Sequence, residues 1–271
     1  MLAVRVPSGH EPPPGEVRVA DGTIPLAIAG DGAPLILLHG WTLDHRMWRP
    51  QIAGLAASHR LVMPDRRGHG RATAPPDLAR EAADVIAIAD ALGLESLALV
   101  GLSQGAAVAL DVAVHFPERV TALVAAGAPL PALIPRGEAL DLAGLRALVA
   151  CGDLAGFRAA WGAHPLMRTH RPEAAALAAR MLADYDGRDI LAPGTPPEIT
   201  APALAMLPMP VLALAGEHDT PWRRACAAAL AAAVPGARHG LIPRAGHLAN
   251  ADNPLAFNAA LAAFLDPGAP A

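Results

Sequence analysis

The chain has 271 residues, 53% of them hydrophobic but only 3% aromatic, with 28 Pro, 25 Gly and a formal charge of −4. That length suits one large domain, or one domain carrying a sizeable insertion, and it buries enough surface to fold without metals or disulfides. High apolar content with low charge excludes a disordered chain, the absence of an apolar run of about 18 residues speaks against a membrane span, and the mildly acidic balance gives no footprint for nucleic acid.

All 21 basic residues are Arg. The lack of Lys removes the P-loop lysine, the pyridoxal-phosphate Schiff base and the Ser-x-x-Lys nucleophile pair together. Cys151 and Cys226 lie far apart and outside any Cys-x-x-Cys motif, so they read as free thiols. Residues 1–15 hold only a short apolar run before a string of prolines, too short for the apolar segment of a secretion signal. Together these features predict a cytoplasmic protein.

After a Pro-rich tail over residues 1–16, residues 17–19 and 24–29 read as two short strands around the turn Asp21-Gly22. Residues 35–38 form an apolar run between Pro34 and Gly40, as in a strand buried on both faces. Residues 45–57 have helical spacing, with Trp48, Ile52 and Leu55 on one side. A strand at 60–63 runs into the turn-rich Pro64-Asp65-Arg66-Arg67-Gly68-His69-Gly70. A helix over 77–92 ends at Gly93, which suits the left-handed position after a helix. A strand at 97–100, a helix over 104–115 stopped by Pro117, and a strand at 120–125 follow.

From about Pro131 to Pro208 there is no strand-like run, and amphipathic helices are predicted at 138–149, 153–161 and 172–185. Strand–helix alternation then resumes at 211–215, 223–234, about 239–242 and 254–265. Alternation of this kind predicts an α/β fold with a mostly parallel sheet covered on both faces. The expected organisation is a core over residues 17–129 and 209–266, with a helical cap inserted over 130–208.

The strongest chemical signal is Gly101-Leu102-Ser103-Gln104-Gly105, between a predicted strand and a predicted helix. This G-x-S-x-G pattern in that setting is a nucleophile elbow: small residues either side of Ser103 let strand and helix pass closely, and the helix N-terminus points positive potential at its hydroxyl. A serine hydroxyl needs a base to take its proton, and the base needs an orienting acid, in the chain order Ser, acid, His. His247 follows the last predicted strand. The stretch after the sixth strand, residues 125–129, holds no carboxylate, whereas the seventh is followed by Gly216-Glu217-His218-Asp219, so Asp219 is the candidate acid. Glu217 and His218 read as structural neighbours, and Asp252, a weaker rival for the acid, as part of the turn into the last helix. The oxyanion needs two aimed donors. The backbone N–H of Gln104 is one candidate, and that of Trp41, in His39-Gly40-Trp41, is the other. His39 reads as bonded within its loop.

Five stretches, HGWTLDHRMW (39–48), PDRRGHGRATAP (64–75), GLSQGAAVALDVAVHFPERV (101–120), LAGEHDTP (214–221) and AGHLANADNPLAFNAALAAFL (245–265), carry a resemblance. The chain resembles an α/β-hydrolase-fold serine hydrolase from about Val17 to Leu265. Within that fold it is similar to the capped esterase and lactonase branch, which includes 3-oxoadipate enol-lactonases and cofactor-free haloperoxidase-like perhydrolases. The resemblance implies an eight-stranded, mostly parallel sheet and the triad Ser103–His247–Asp219. Serine at the nucleophile position argues against the dehalogenases and epoxide hydrolases of this fold, which use Asp there. Gln104 and Ala106 depart from the Met or Leu and the Gly of many relatives, leaving the Gln104 amide to reach toward substrate or to face solvent. The cap is the least matched part.

The expected activity is cleavage of a small carboxylic ester or lactone by water through an acyl-enzyme, with no cofactor and no metal. The same machinery also fits a C–C bond hydrolase acting on a meta-cleavage product, or a perhydrolase. A weakly hydrolytic ligand-binding receptor is the reading from another class. Trp161, Met167 and Leu248 are the candidate substrate contacts. Phe157, Met181 and Tyr185 at helical spacing read mainly as core. His164, Arg168, His170 and Arg171 read as a solvated helix end, with an anion-binding wall as the alternative. No nucleic-acid or membrane partner is expected, and the oligomeric state stays open between monomer and homodimer.

Overall fold

A computed structural model describes residues 15–192 and 194–266. Most of the Pro-rich tail, and with it the reading of the start as too short for a secretion signal, lies outside the described residues. The chain runs β1 (Gly15–Val19), β2 (Gly22–Ala29), β3 (Ala33–Leu38), α1 (Arg49–Leu55), β4 (His59–Pro64), α2 (Glu81–Ala91), β5 (Leu97–Leu102), α3 (Gln104–His115) and β6 (Val120–Ala126). Five helices follow with no strand among the described residues: α4 (Leu142–Ala150), α5 (Leu154–Gly162), α6 (Pro172–Asp184), α7 (Arg188–Leu191) and α8 (Ala201–Ala205). The chain closes with β7 (Val211–Gly216), α9 (Pro221–Ala233), β8 (Arg238–Ile242), α10 (Ala249–Asp252) and α11 (Pro254–Leu265).

The eight strands form one sheet in the order β1-β2-β4-β3-β5-β6-β7-β8. β1 and β2 pair antiparallel, β2 meets β4 antiparallel, and the six strands from β4 to β8 in that order are parallel. Two helical layers cover it, because the central strands are apolar on both sides. Along β3, Leu35 and Leu37 join the core layer that holds Trp48, Leu55 and Phe257, while Ile36 and Leu38 join the opposite layer with Ile88, Val108 and Leu230. All four β3 side chains are fully buried, each contributing about 1.5–3 kcal/mol relative to exposure.

Some boundaries differ from the sequence expectation. The tail expected to reach residue 16 ends sooner, because Gly15 and Glu16 extend the hairpin ladder opposite Leu26 and Pro25. The helix expected over 45–57 divides at Trp48 into a short 3-10 turn and α1, with Pro50 in the first turn of α1. The helix expected from Glu138 starts only at Leu142, where Asp141 caps it by accepting from the Gly144 N–H. Glu138 instead pairs with Arg223 at the start of α9, at 2.8 Å. The short helices α7, α8 and α10 were not foreseen, since four or five residues show no helical period.

The turn after β4 is unusually polar for a buried segment. Arg67 reaches Asp84 of α2 through two hydrogen bonds of 2.6 and 2.9 Å, and donates further to the carbonyls of Pro75 and Ala20. Asp65 accepts from the backbone N–H of Arg71 and of His45 and stands 2.6 Å from His45 Nδ1. Burial by itself would raise the Asp65 carboxyl, but the His45 imidazole and these N–H groups outweigh it and hold the group well below the usual carboxylate range. A depressed carboxylate stabilises the fold above its unfolded value, about 4, and that contribution is lost as pH falls below it. Asp65→Asn is therefore expected to lower Tm clearly at pH 7, with the gap to wild type narrowing by pH 3. An equal gap at both pH values would contradict this.

Candidate active site

The parallel strands β5 to β8 end side by side, and their carboxyl-end loops form the site. At the end of β5 the chain turns in one residue into α3, with Ser103 at φ +56, ψ −119. A non-glycine residue there is strained, and such strain clusters at functional sites. Two contacts hold it: the Ser103 N–H donates to the Ala126 carbonyl at 2.8 Å, and Gly105 lets α3 approach β3. A Cβ on Gly105 would fall 2.2 Å from the Leu38 oxygen. Serine is a favoured helix N-cap, yet the Ser103 side chain makes no capping bond. Its hydroxyl is left at the positive end of α3.

Asp219, after β7, and His247, after β8, meet beside it. Asp219 Oδ2 lies 2.9 Å from His247 Nδ1, and its Oδ1 accepts from the Thr220 N–H at 2.7 Å. A carboxylate acceptor at Nδ1 puts the imidazole proton there and leaves the Nε2 lone pair for a donor. His247 Nε2 is buried and has no hydrogen-bond partner among the described residues. No hydrogen bond joins it to the Ser103 hydroxyl, a link that commonly tightens only when substrate binds. Gly127, at the end of β6, forms the floor under the pair. Its φ is +57, and a Cβ there would stand 2.9 Å from His247 Cε1 and 3.3 Å from Asp219 Oδ2. Gly127→Ala is thus expected to displace the imidazole and lower kcat about hundredfold. Folded protein with unchanged kcat would contradict that packing.

The other carboxylates near His247 do different work. Asp252 is buried and accepts from the Gly246 N–H at 2.8 Å and the His170 N–H at 2.7 Å, tying the His247 loop to the segment before α6. It is a brace between two segments and more than part of a turn. Glu217 is exposed and accepts from the Arg244 N–H.

Gly40 brings the loop after β3 against the nucleophile, a Cβ there lying 3.5 Å from Ser103 Cβ. Among the described residues neither the Trp41 N–H nor the Gln104 N–H donates to any group. The Gln104 side chain is half-buried at the cavity wall, and its Oε1 accepts from Arg66 Nη2 at 2.6 Å. Arg66 also donates to Glu81 at 2.6 Å, and its backbone N–H to His39 Nε2 at 2.9 Å. His39 Nδ1 in turn donates to the Gly40 oxygen, so His39 links two loops and not one. Burial, with Arg66 and His69 beside it, pushes the His39 imidazole well below its usual value and keeps it neutral. Burial also pushes the Glu81 carboxyl up to about 7, against the opposing pull of Arg66.

A cavity of about 330 Å³ opens above Ser103. Trp41, Ser103, Gln104, His247, Trp161, Met167 and Leu248 line it, so of the residues singled out as site candidates only Asp219 stands behind the wall. His69, Glu81, Asp189, Arg136 and Arg146 also line it and were not foreseen. Phe157, Met181 and Tyr185 are buried but form no part of this wall. Neither do His164, Arg168, His170 or Arg171; His164 bonds the Ala139 carbonyl and stacks on Trp161. Asp44, His45 and Asp65 are the one grouping of metal-type donors among the described residues, and their atoms are taken up by Arg46, Arg71 and one another. No described helix is long and apolar enough to cross a membrane.

A parallel sheet that presents a strained serine at a strand–helix turn, next to a His–Asp pair, defines a hydrolase of the α/β class. Residues 35–260 match the Alpha/beta hydrolase family, and the chain belongs to that family. It is 31% identical over 270 residues to RutD of Variovorax paradoxus (strain S110), a candidate carbamate hydrolase by name, covering 89% of this chain and 96% of that one. It is 29% identical over 259 residues to carboxylesterase YbfK of Bacillus subtilis (strain 168), covering 88% of this chain and 82% of that one. The crystal structure of that esterase superposes with a TM-score of 0.78 at 25% identity, over 95% of this chain and 92% of the other. An enol-lactonase from Burkholderia xenovorans LB400 shares the fold, with a TM-score of 0.71 at 21% identity over 93% and 99% of the two chains.

Proposed function

We propose that the protein cleaves a small carboxylic ester or lactone through an acyl-enzyme, with Ser103 as nucleophile, His247 as base and Asp219 as its orienting acid. The observation that carries this reading is the uncapped Ser103 hydroxyl beside a buried imidazole whose Nδ1 is held by Asp219 and whose Nε2 is unpartnered. Ser103 Oγ attacks the acyl carbon as His247 Nε2 takes its proton. The resulting oxyanion is held by the Trp41 and Gln104 N–H groups, both without other partners. His247 then gives its proton to the departing alkoxide. Water enters, loses a proton to His247 and attacks the acyl-enzyme, and collapse of the second tetrahedral adduct frees the acid and restores the Ser103 hydroxyl. Asp219 stays ionised throughout and stabilises the imidazolium.

The helices α4 to α8, within residues 130–208, serve as a cap over the cavity, whose exposed wall is mostly apolar but also carries charged side chains such as Glu81, Arg136, Arg146 and Asp189. The likeness to RutD favours a carbamate as the second reading, since a carbamate carbonyl passes through the same tetrahedral adduct. A rate panel tests both: chromogenic esters of graded acyl length, lactones, and an aryl carbamate, with Ser103→Ala protein as the blank. Ser103-dependent ester or lactone turnover is expected. Turnover of the carbamate alone would move the assignment to the second reading, and inactivity of folded protein on every compound would overturn both.

A further inference from the structure

We infer that Asp189, on α7, is a positioning residue for the oxyanion donor: it holds the Trp41 indole and through it the Gly40-Trp41-Thr42 backbone. This rests on the serine-hydrolase reading above and extends it to a residue in the helices between β6 and β7. Trp41 Nε1 donates to Asp189 Oδ2 at 2.6 Å, and the Tyr185 hydroxyl donates to Asp189 Oδ1 at 2.6 Å. A carboxylate largely withdrawn from water keeps its charge more readily when donors surround it. Burial raises the Asp189 carboxyl, and the Tyr185, Trp41 and Arg66 groups oppose that rise. The ring of His69 stands 4.0 Å from the same oxygen that Trp41 uses.

A second bond runs the other way across the same seam. Trp161 Nε1, on α5, donates to Thr42 Oγ1 at 2.8 Å. Thr42 has φ +62, a conformation that a β-branched residue adopts only when its surroundings impose it. The Trp41 and Trp161 rings pack with centroids 4.6 Å apart. The chain has a single Tyr and four Trp, and its tyrosine and two of its tryptophans meet here, with Trp161 and Tyr185 packed against Trp41 from outside the loop. The loop that carries the Trp41 N–H is therefore clamped from α5 and α7 by two indole hydrogen bonds, one of them ending on a partly buried carboxylate. An oxyanion donor works in proportion to how well it is fixed before the charge develops. Loosening the Asp189 bond should accordingly weaken binding of the tetrahedral adduct while leaving the cavity's apolar contacts to substrate in place.

The test is a steady-state comparison of wild type, Asp189→Ala, Asp189→Asn, Trp41→Phe and the double variant Trp41→Phe/Asp189→Ala. Each is measured on the best ester of the panel, together with inhibition by an alkyl boronic acid, which adds to a reactive serine as a tetrahedral anion. Asp189→Ala is expected to lower kcat at least about tenfold and to weaken the boronate to match, with KM within about twofold. Asp189→Asn, which keeps an acceptor for the indole, should recover most of that loss. Trp41→Phe should act in the same direction, and the double variant should be no slower than Asp189→Ala, since both remove one bond. If Asp189→Ala protein does not fold, the Trp41→Phe result decides. Wild-type kcat and boronate affinity in folded Asp189→Ala or Trp41→Phe would overturn the inference, as would a lowered Tm with kcat unchanged or full additivity in the double variant. Those results would leave the hydrolase reading intact. Absence of Ser103-dependent turnover in wild type would overturn both together.

Discussion

Ser103→Ala is expected to lower turnover of the best ester about 10⁴- to 10⁶-fold, and His247→Ala by a similar factor, with Tm close to wild type. The size of the effect follows from the proposed division of labour. Without the hydroxyl no acyl-enzyme forms, and without the imidazole the hydroxyl keeps its proton, so the two losses do not add. The double variant should be about as slow as either single variant. What activity survives would come from the two backbone donors and the cavity alone. Stability should hardly change, because the Ser103 hydroxyl caps no helix and has no hydrogen-bond partner among the described residues. Near-wild-type turnover in either single variant would contradict the assigned roles.

Asp84→Ala is expected to destabilise the fold by about 3–5 kcal/mol, or roughly a 10 °C fall in Tm. Arg67 is 1% exposed and spends its guanidinium on Asp84 and on the carbonyls of Pro75 and Ala20. Removing Asp84 leaves a buried cation with no carboxylate partner, held only by carbonyl oxygens and unable to shed its proton. Arg80 and Asp21 form the contrasting pair, hydrogen-bonded but largely solvent-exposed. Arg80→Ala should cost under about 1 kcal/mol. Urea melts of the two variants check the contrast, and an Asp84→Ala midpoint near wild type would contradict it.

The sheet was legible because its strands are apolar on both faces and bounded by Gly and Pro, and α3 and α11 fall at their expected residues, Gln104–His115 and Pro254–Leu265. Ser103 and the His247 and Asp219 loops were legible for a related reason: strand ends in a parallel sheet fall at one edge, so residues far apart in the chain are brought together by topology. Those three local signals needed only their place in the strand order. The supporting groups carried no such signal. Asp189 sits on a four-residue helix after an unpatterned stretch, and its partner Trp41 lies 148 residues away. Arg66 and Glu81 meet across a turn and a helix, where an Arg reads equally as solvated surface. Gln104 was open between solvent and substrate because a side chain's partner depends on which buried guanidinium happens to reach it. Asp252 looked like a turn residue because the His170 N–H it receives is 82 positions distant. Local pattern reports periodicity and turns, whereas these contacts are made by tertiary packing.

The most direct measurement is covalent labelling of wild-type protein with a fluorophosphonate, read by intact mass and then by peptide mapping. One phosphonyl group per chain is expected, carried on the peptide containing Ser103, absent from Ser103→Ala, and acquired far more slowly by His247→Ala. Folded protein that takes no label, or takes it at a residue other than Ser103, would contradict the assignment of Ser103 as a nucleophile activated by His247.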